Sequence, residues 1–226
     1  MSEVTVVLTA CNRPDLLDRT MESFVQNNTY PIKEFIIIDD GLVEGCNDFL
    51  KDKYDLPFTF LYNTVKLAQI RSIDLAYSRV KTPYIFHMEE DWLFLLPGFI
   101  EKSMEIMETD PNVVTVWLRS PQDKTLQHPY SEETYKTKNG TEYKKCHVFY
   151  PNGIWNGFTL NPSLKRVKDY DRVKPYQQLP RITPYQQSGN NPLECDISVA
   201  YAQLGYYAVT LLDQYIEHIG WDRHLV

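Results

Sequence analysis

The sequence predicts an α/β layer fold with a mostly parallel central sheet flanked by helices, on three observations. Short β-branched apolar runs alternate with segments of helical period through the first half of the chain. The one amphipathic stripe that opens this pattern suits a helix lying on a parallel sheet. Polar residues cluster directly after the apolar runs, where open α/β sheets collect their ligands.

In chain order, residues 4–8 form an apolar β-branched run, and residues 14–27 read as a helix opened by Pro14, with Leu17, Met21, Phe24 and Val25 on one face. Residues 35–38 are apolar again and stop at Asp39-Asp40-Gly41, completing a βαβ opening. Residues 58–62 offer another strand. Ile70, Ile73, Tyr77 and Val80 recur at helical spacing over 68–80, and Thr82-Pro83 closes that segment before a strand beginning at Tyr84. Pro97-Gly98 precedes a helix with Ile100, Met104 and Met107 aligned, and 113–118 is a buried-type strand.

After Ser120 the texture changes. The stretch to Lys145 is polar, lacks a core-facing helical period, and carries Asn139-Gly140 between residues able to pair as a hairpin; it reads as an exposed excursion. Residues 147–150 and 154–160 are strand-like, and Asn161-Pro162 suits an N-cap and first helical position. Residues 169–191 are Pro- and Gln-rich, the composition of a lid or binding loop. A last helix is expected over 192–204, with Ile197, Ala200, Tyr201 and Leu204 on one face, then Gly205 and a strand over 206–212.

The 226 residues, 43% of them hydrophobic, are enough to bury one sizeable core, so one compact unit is expected. A formal net charge of -7 and a pI near 5.3 argue against a protein that tracks a nucleic-acid backbone. Cys11, Cys46, Cys146 and Cys195 are scattered without metal-ligand spacing, so neither a zinc site nor a disulfide framework is indicated and a reducing, cytoplasmic setting is expected. No apolar run reaches membrane-spanning length, and Met1 leads into the first strand without a basic leader segment. Asn27-Asn28-Thr29 and Asn139-Gly140-Thr141 match a glycan-acceptor pattern that arises often by chance.

Three strand ends carry the chemistry. Tyr84-Ile85-Phe86-His87-Met88 runs into Glu89-Glu90-Asp91, three consecutive carboxylates followed by Trp92. Such crowding raises the free energy unless a cation shares the site, which points to a divalent metal. In an extended chain Glu89 and Asp91 project together and Glu90 points away. A solvated acidic turn is the competing reading. The first strand ends in Thr9-Ala10-Cys11-Asn12-Arg13-Pro14, whose donors at a helix start suit a nucleotide, or whose Asn12 caps that helix. The second ends in Asp39-Asp40-Gly41, where an acidic residue accepts from a ribose hydroxyl or base N–H, or simply forms a turn.

Together, Val4-Thr5-Val6-Val7-Leu8-Thr9-Ala10-Cys11-Asn12-Arg13-Pro14, Phe35-Ile36-Ile37-Ile38-Asp39-Asp40-Gly41, Arg71 and Phe86-His87-Met88-Glu89-Glu90-Asp91 resemble, in order and separation, the inverting family-2 glycosyltransferases with the GT-A fold. The resemblance is strong over about the first hundred residues and traceable to the end. It implies a single domain over 1–226, with a nucleotide-sugar-binding half (1–118) and an acceptor-binding half (119–226) carrying a smaller sheet. Thr9, Ala10, Asn12, Arg13, Asp39 and Arg71 would line the donor nucleotide and its diphosphate. Asp91, with Glu89 standing where the family commonly has the first Asp of Asp-x-Asp, would hold Mn²⁺ or Mg²⁺. Glu90 falls on the nucleotide side of this constellation or is only the turn residue. His218, in Glu217-His218-Ile219-Gly220-Trp221, is a further metal ligand by the same resemblance, or a structural histidine.

Aligned back from Gly205, Glu194 in Glu194-Cys195-Asp196 takes the family's catalytic-base position, with Asp196 as the alternative, since a one-residue shift in the helix start would exchange their directions. A capping box built on Asn191, Pro192 and Glu194 is the competing reading. Asn152-Gly153 and Trp155-Asn156-Gly157-Phe158 supply aromatic and amide groups suited to a sugar, or to core packing. The activity implied is metal-dependent transfer of a sugar, with inversion, from a nucleoside-diphosphate sugar, UDP-sugar by default, to a hydroxyl of a glycan acceptor. The alternatives are a nucleotidyltransferase, whose glycine-rich basic loop is missing, and a silent nucleotide-sugar-binding module, against which the joint presence of Asp91 and Glu194 argues.

Overall fold

The computed structural model describes residues 2–123, 128–147, 155–182 and 194–223. β1 (Val4–Ala10) is buried along its whole length, as a central strand covered on both faces must be. α1 (Pro14–Asn27) begins at Pro14, whose fixed φ and missing N–H suit a first turn, and it buries Leu17, Met21 and Phe24. Val25, expected on the same stripe, is exposed. β2 (Glu34–Asp39) runs parallel to β1 in a register that pairs Ala10 with Asp39, bringing the two strand ends level. A short α2 (Phe49–Lys53), absent from the periodicity because Leu50 is its only buried residue, leads to β3 (Phe58–Tyr62).

α3 (Gln69–Tyr77) is shorter than the 68–80 expected, because Ala68 has φ 64° and ψ 168° and cannot be helical. β4 (Tyr84–Glu89) then enters beside β1 with Thr9 opposite Glu89. The chain turns at Glu90-Asp91 into β5 (Trp92–Phe94), continues through α4 (Phe99–Thr109), preceded by Gly98 at φ 84°, and reaches β6 (Val113–Trp117).

The 120–145 stretch is more than an exposed excursion. β7 (Tyr135–Lys136) and β8 (Glu142–Lys145) form the hairpin expected around Asn139-Gly140, and β8 pairs with β10 (Tyr207–Leu211). Its hydropathy hid this, because Tyr143 is the apolar side chain it buries while Lys145 stacks its ammonium over the Tyr135 and Tyr207 rings.

The helix expected from Asn161-Pro162 is instead a strand, β9 (Ser163–Arg166), antiparallel to β4, followed by a single turn, α5 (Val167–Tyr170). Pairing with β4 overrides the local signals. Arg166 in this strand is 4% exposed and fully engaged: Nε donates to Asp169 Oδ2 at 2.5 Å, Nη1 to Met107 O, and Nη2 to Pro111 O and Val113 O at 2.6 Å each. It therefore ties β9 to the end of α4 and the start of β6. A 3-10 turn at Tyr176–Gln178 follows; the remainder of the expected lid and its Asn191-Pro192 helix start lie outside the described residues. α6 (Glu194–Gln203), β10 and β11 (Ile216–His218) complete the fold.

Among the described residues the sheets are β3-β2-β1-β4-β9, β6-β10-β8-β7 and β11-β5. An aromatic layer of Phe24, Phe35, Phe86, Phe94 and Phe99 fills the α1/α4 side of the large sheet. Ile70, Ile73, Tyr77, Tyr170, Tyr176 and Tyr201 fill the α3/α6 side. No helix among the described residues is long and apolar enough to cross a membrane. Cys11, Cys46 and Cys146 form no disulfide.

Candidate active site

The level ends of β1, β2 and β4 put three polar segments side by side. Asp39, 1% exposed, accepts hydrogen bonds from Asn12 N to both oxygens at 3.2 Å, from Gly41 N at 2.6 Å and from Asn47 Nδ2 at 2.9 Å. A Cβ on Gly41 would lie 2.3 Å from Asn12 Cβ, so glycine permits the β2 loop to close over Asn12. Asn12 itself is at φ 51° and is not the cap of α1; Arg13 occupies that position without a side-chain capping bond. Thr9 and Ala10 are buried in β1.

Asp40 anchors the loop before α3: its carboxylate accepts from Leu67 N, Ala68 N and Asn63 Nδ2 at 2.8–2.9 Å. That loop carries Lys66 across the end of β1, with Nζ 2.9 Å from Asp40 O and 2.9 Å from Cys11 Sγ. Sequence reasoning did not single out Lys66; an exposed lysine between a strand and a helix has no local signature.

At the acidic corner the three carboxylates separate, and not as strand alternation requires. β4 ends at Glu89, and the turn at Glu90-Asp91 is held by Thr20, whose hydroxyl donates to Glu90 O and accepts from Trp92 N. Glu89 accepts from Gln69 Nε2 at 2.6 Å and Trp92 Nε1 at 3.2 Å. Glu90 and Asp91 instead share one cation, Arg13, whose Nη2 lies 2.7 Å from Glu90 Oε1 and 3.0 Å from Asp91 Oδ2. Glu90 also accepts from Cys11 N at 3.0 Å. At 3% exposure it is a buried clasp between β1 and β4 rather than a solvated turn residue.

Burial, then the charges of Asp91 and Glu90, push the Glu89 carboxyl up to about 8. Burial also works to raise Asp91, but hydrogen bonding and charge from His218 and Arg13 outweigh it and hold Asp91 below the ordinary carboxylate range. β11 delivers His218 to this corner, with Nε2 3.4 Å from Asp91 Oδ2, and Ile219 N donates to Asp91 O at 2.8 Å. A Cβ on Gly220 would fall 2.3 Å from Asp91 Oδ2, so that glycine leaves the carboxylate its space.

Asp91 and His218 thus stand side by side with oxygen and nitrogen atoms of the kind a divalent cation takes, while Arg13 opposes the same Asp91 oxygen. Among the described residues no three His, Cys, Asp or Glu side chains are gathered into a closed cage. An open set of one or two protein carboxylates, completed by substrate phosphates and water, is the usual arrangement for Mg²⁺-type sites.

α6 opens with Glu194, half-buried, whose Oε2 accepts from Leu160 N at 2.7 Å and Thr159 Oγ1 at 3.2 Å. Burial raises its carboxyl above the ordinary value, opposed by these two donors and by the charge of Lys165. The charge of Glu194 adds, last and least, to the rise at Glu89. Asp196 is 1% exposed and accepts from Ile182 N at 2.8 Å, turned into the fold. Phe158 is core, 1% exposed against Tyr176 and Tyr201, while Trp155 is half-buried against Trp117 and His128. Asn152-Gly153 lie outside the described residues.

Arg71 stands exposed on α3 and lines a groove of about 970 Å³ with Asp74, Tyr170 and Lys174. Of the expected residues, the structure brings together Asn12 with Asp39, and Arg13 with Glu90, Asp91 and His218. Lys66, on Asp40 O and Cys11, and Gln69, on Glu89, stand at the same strand ends without having been expected.

The sequence profile described as "Glycosyl transferase family 2" matches residues 5–161. No curated protein sequence matches the chain. Among solved structures, similar ones include the mannosyltransferase PcManGT from Pyrobaculum calidifontis in complex with GDP-Man and Mn²⁺, 14% identical with a TM-score of 0.67, the match covering 97% of this chain and 57% of that one. S. aureus TarS (1-349) is 12% identical at a TM-score of 0.61, over 95% and 59% of the two chains. GalNAc-T7 with UDP, GalNAc and Mn²⁺ is 14% identical at a TM-score of 0.65, over 100% and 45%. The chain spans about half the length of these structures. At such identities the likeness is one of fold: a mostly parallel central sheet with a smaller sheet beside it, as in GT-A transferases.

Proposed function

The chain belongs to glycosyl transferase family 2, and on that premise we propose that it moves a sugar from a nucleoside-diphosphate sugar to a hydroxyl of a glycan acceptor, with inversion at the anomeric carbon. The observation that carries this reading is the meeting of Asp91, Arg13 and His218 at the end of β4, level with Asn12 and Asp39 at the ends of β1 and β2.

Asn12, Asp39 and the backbone of Thr9 and Ala10 form the nucleotide side of this proposal, with Arg71 and Lys66 contributing positive charge around the donor. Asp91 and His218 would hold Mn²⁺ or Mg²⁺, with Glu89, held by Gln69 and Trp92, set apart from them; the ion when bound would supply Lewis-acid stabilisation of the charge on the departing diphosphate. Glu194 takes the proton of the acceptor hydroxyl as that oxygen attacks the anomeric carbon; the bond to the acceptor oxygen forms while the bond to the diphosphate oxygen breaks on the opposite face. The raised carboxyl of Glu194 supports this role, because a base works best when its pKa lies close to the working pH. Asp196, turned inward to Ile182 N, is the less favoured base. A UDP-sugar is the donor to test first; the solved neighbours hold UDP in one case and GDP-Man in another. A reducing, cytoplasmic setting remains part of the proposal, since Cys11, Cys46 and Cys146 form no disulfide.

The test is release of nucleoside diphosphate from a panel of UDP- and GDP-sugars with a set of glycan acceptors, with Mn²⁺ and with a chelator. Turnover confined to metal-containing samples and lost in Asp91→Asn is expected. Undiminished turnover in chelator would remove the metal from the proposal, and full transfer by Glu194→Gln would remove the base.

A further inference from the structure

β9 places a lysine inside the protein, next to the start of α6, where neither composition nor hydropathy would put one. Lys165 is 3% exposed and lies opposite Ile85 of β4. Its Nζ donates to Thr159 O at 2.8 Å and to Ser163 Oγ at 3.0 Å, and sits 4.6 Å from the centre of the Phe158 ring. Both acceptors are neutral. A buried ammonium held by neutral groups is costly, and an apolar side chain at this position would fill the same space without that cost.

What the charge does is visible in the residues it holds. Thr159 offers its carbonyl to Lys165 and its hydroxyl to Glu194, and the next backbone N–H, that of Leu160, also donates to Glu194. The ammonium therefore fixes the short segment that grips the carboxylate. We infer that Lys165 is a positioning residue for Glu194: it locks the 158–160 segment against α6 and supplies a positive charge that favours the ionised carboxylate without hydrogen-bonding to it. This rests on the reading of Glu194 as the base.

The separation matters chemically. A lysine in direct contact would occupy the oxygen that must receive the acceptor's proton and would weaken its basicity. One carbonyl removed, the charge offsets part of the desolvation of Glu194 without itself taking up a carboxylate oxygen. The ionisable groups facing Lys165 are Glu194 of α6 and His87 and Glu89 of β4. Burial drives Lys165 down to about 7, with Glu194 and Glu89 pulling it back up. His87, fully buried with both ring nitrogens unpartnered, is held neutral by burial and then by the lysine's charge.

The coupling is measurable without any substrate or metal. In protein labelled with ¹³C at the glutamate side-chain carboxyl, the Glu194 resonance is identified by its loss in Glu194→Gln, and its titration midpoint is followed by NMR. Lys165→Met is expected to raise that midpoint, and Lys165→Arg to return it toward the wild-type position. An unmoved midpoint in folded Lys165→Met would overturn the inference and leave the base reading standing. If Lys165→Met does not fold, the reciprocal measurement applies. In lysine-labelled protein the side-chain resonance that titrates furthest below the ordinary lysine range should move to a lower midpoint in Glu194→Gln, since coupling between two sites is equal from either side. No movement there overturns the inference equally. Transfer activity retained by Glu194→Gln would instead sink the base reading while leaving the measured coupling intact.

Discussion

Arg13 grips Glu90 through Nε and Nη2, each 2.7 Å from the same carboxylate oxygen, and the same Nη2 reaches Asp91. The chain carries its own cation into the acidic corner, so a metal ion there would bind beside an arginine already opposing two of the three carboxylates.

Because the Glu90 side chain is 4% exposed, removing its partner strands a buried charge. Arg13→Ala is expected to lower stability by about 3 kcal/mol or more, read by urea denaturation at neutral pH. Glu90→Gln, which keeps an acceptor for Cys11 N, should cost less. A loss below about 1 kcal/mol in Arg13→Ala would mean that water solvates Glu90, as at an exposed pair.

Arg166 is a buried cation with several partners, and its loss acts on the fold rather than on the site. Arg166→Met leaves Asp169 and the carbonyls of Met107, Pro111 and Val113 without that donor, and is expected to cost about 3–5 kcal/mol. An unchanged thermal midpoint would show that β9 is held to β6 by other contacts.

Ala68, exposed and at φ 64°, ψ 168°, occupies backbone space that suits glycine. Relief of strain worth about 1–3 kcal/mol, set against the greater freedom glycine gives the unfolded chain, about 0.4–1 kcal/mol, predicts that Ala68→Gly stabilises by about 1 kcal/mol. Denaturant midpoints with an unchanged slope would measure it; destabilisation would mean that the Asp40 contacts to Leu67 N and Ala68 N do not hold this conformation.

The raised carboxyl of Glu194 has a pH signature of definite sign. Its folded form binds a proton more readily than its unfolded form, so its contribution to stability is present in acid and is lost as pH rises through the folded pKa. Glu194→Gln is therefore expected to raise the thermal midpoint at pH 7, with the gain shrinking below the ordinary glutamate range. If Glu194 is the base, the acid limb of kcat/KM lies above that range as well. Equal midpoints for both proteins at pH 7 would show that Leu160 N, Thr159 and Lys165 fully compensate the burial.

Much of the site was legible because it lies at the ends of local patterns. Asp39 and Glu89 follow apolar runs, and Pro14 marks the helix start, so strand ends could be located without knowing what they met. The expectation that Glu89 and Asp91 share a face was not met by the turn: the chain leaves β4 after Glu89, and once extended geometry ends, alternation no longer assigns faces. The helix expected after Asn161-Pro162 failed for a related reason. Two charged side chains in Ser163-Leu164-Lys165-Arg166 concealed a strand whose Arg166 is satisfied in large part by carbonyls far along the chain.

The sequence by itself determined the α/β alternation, the parallel β1, β2 and β4, and the polar segments at their ends, because strand and helix periods are properties of neighbouring residues. Tertiary structure alone decided the partners: Arg13 for Glu90 across 77 positions, Thr159 for Glu194 across 35, and Lys165 beneath both. A buried charge is tolerable only where the fold supplies its donors, acceptors and counter-charges, and no local pattern records where those come from.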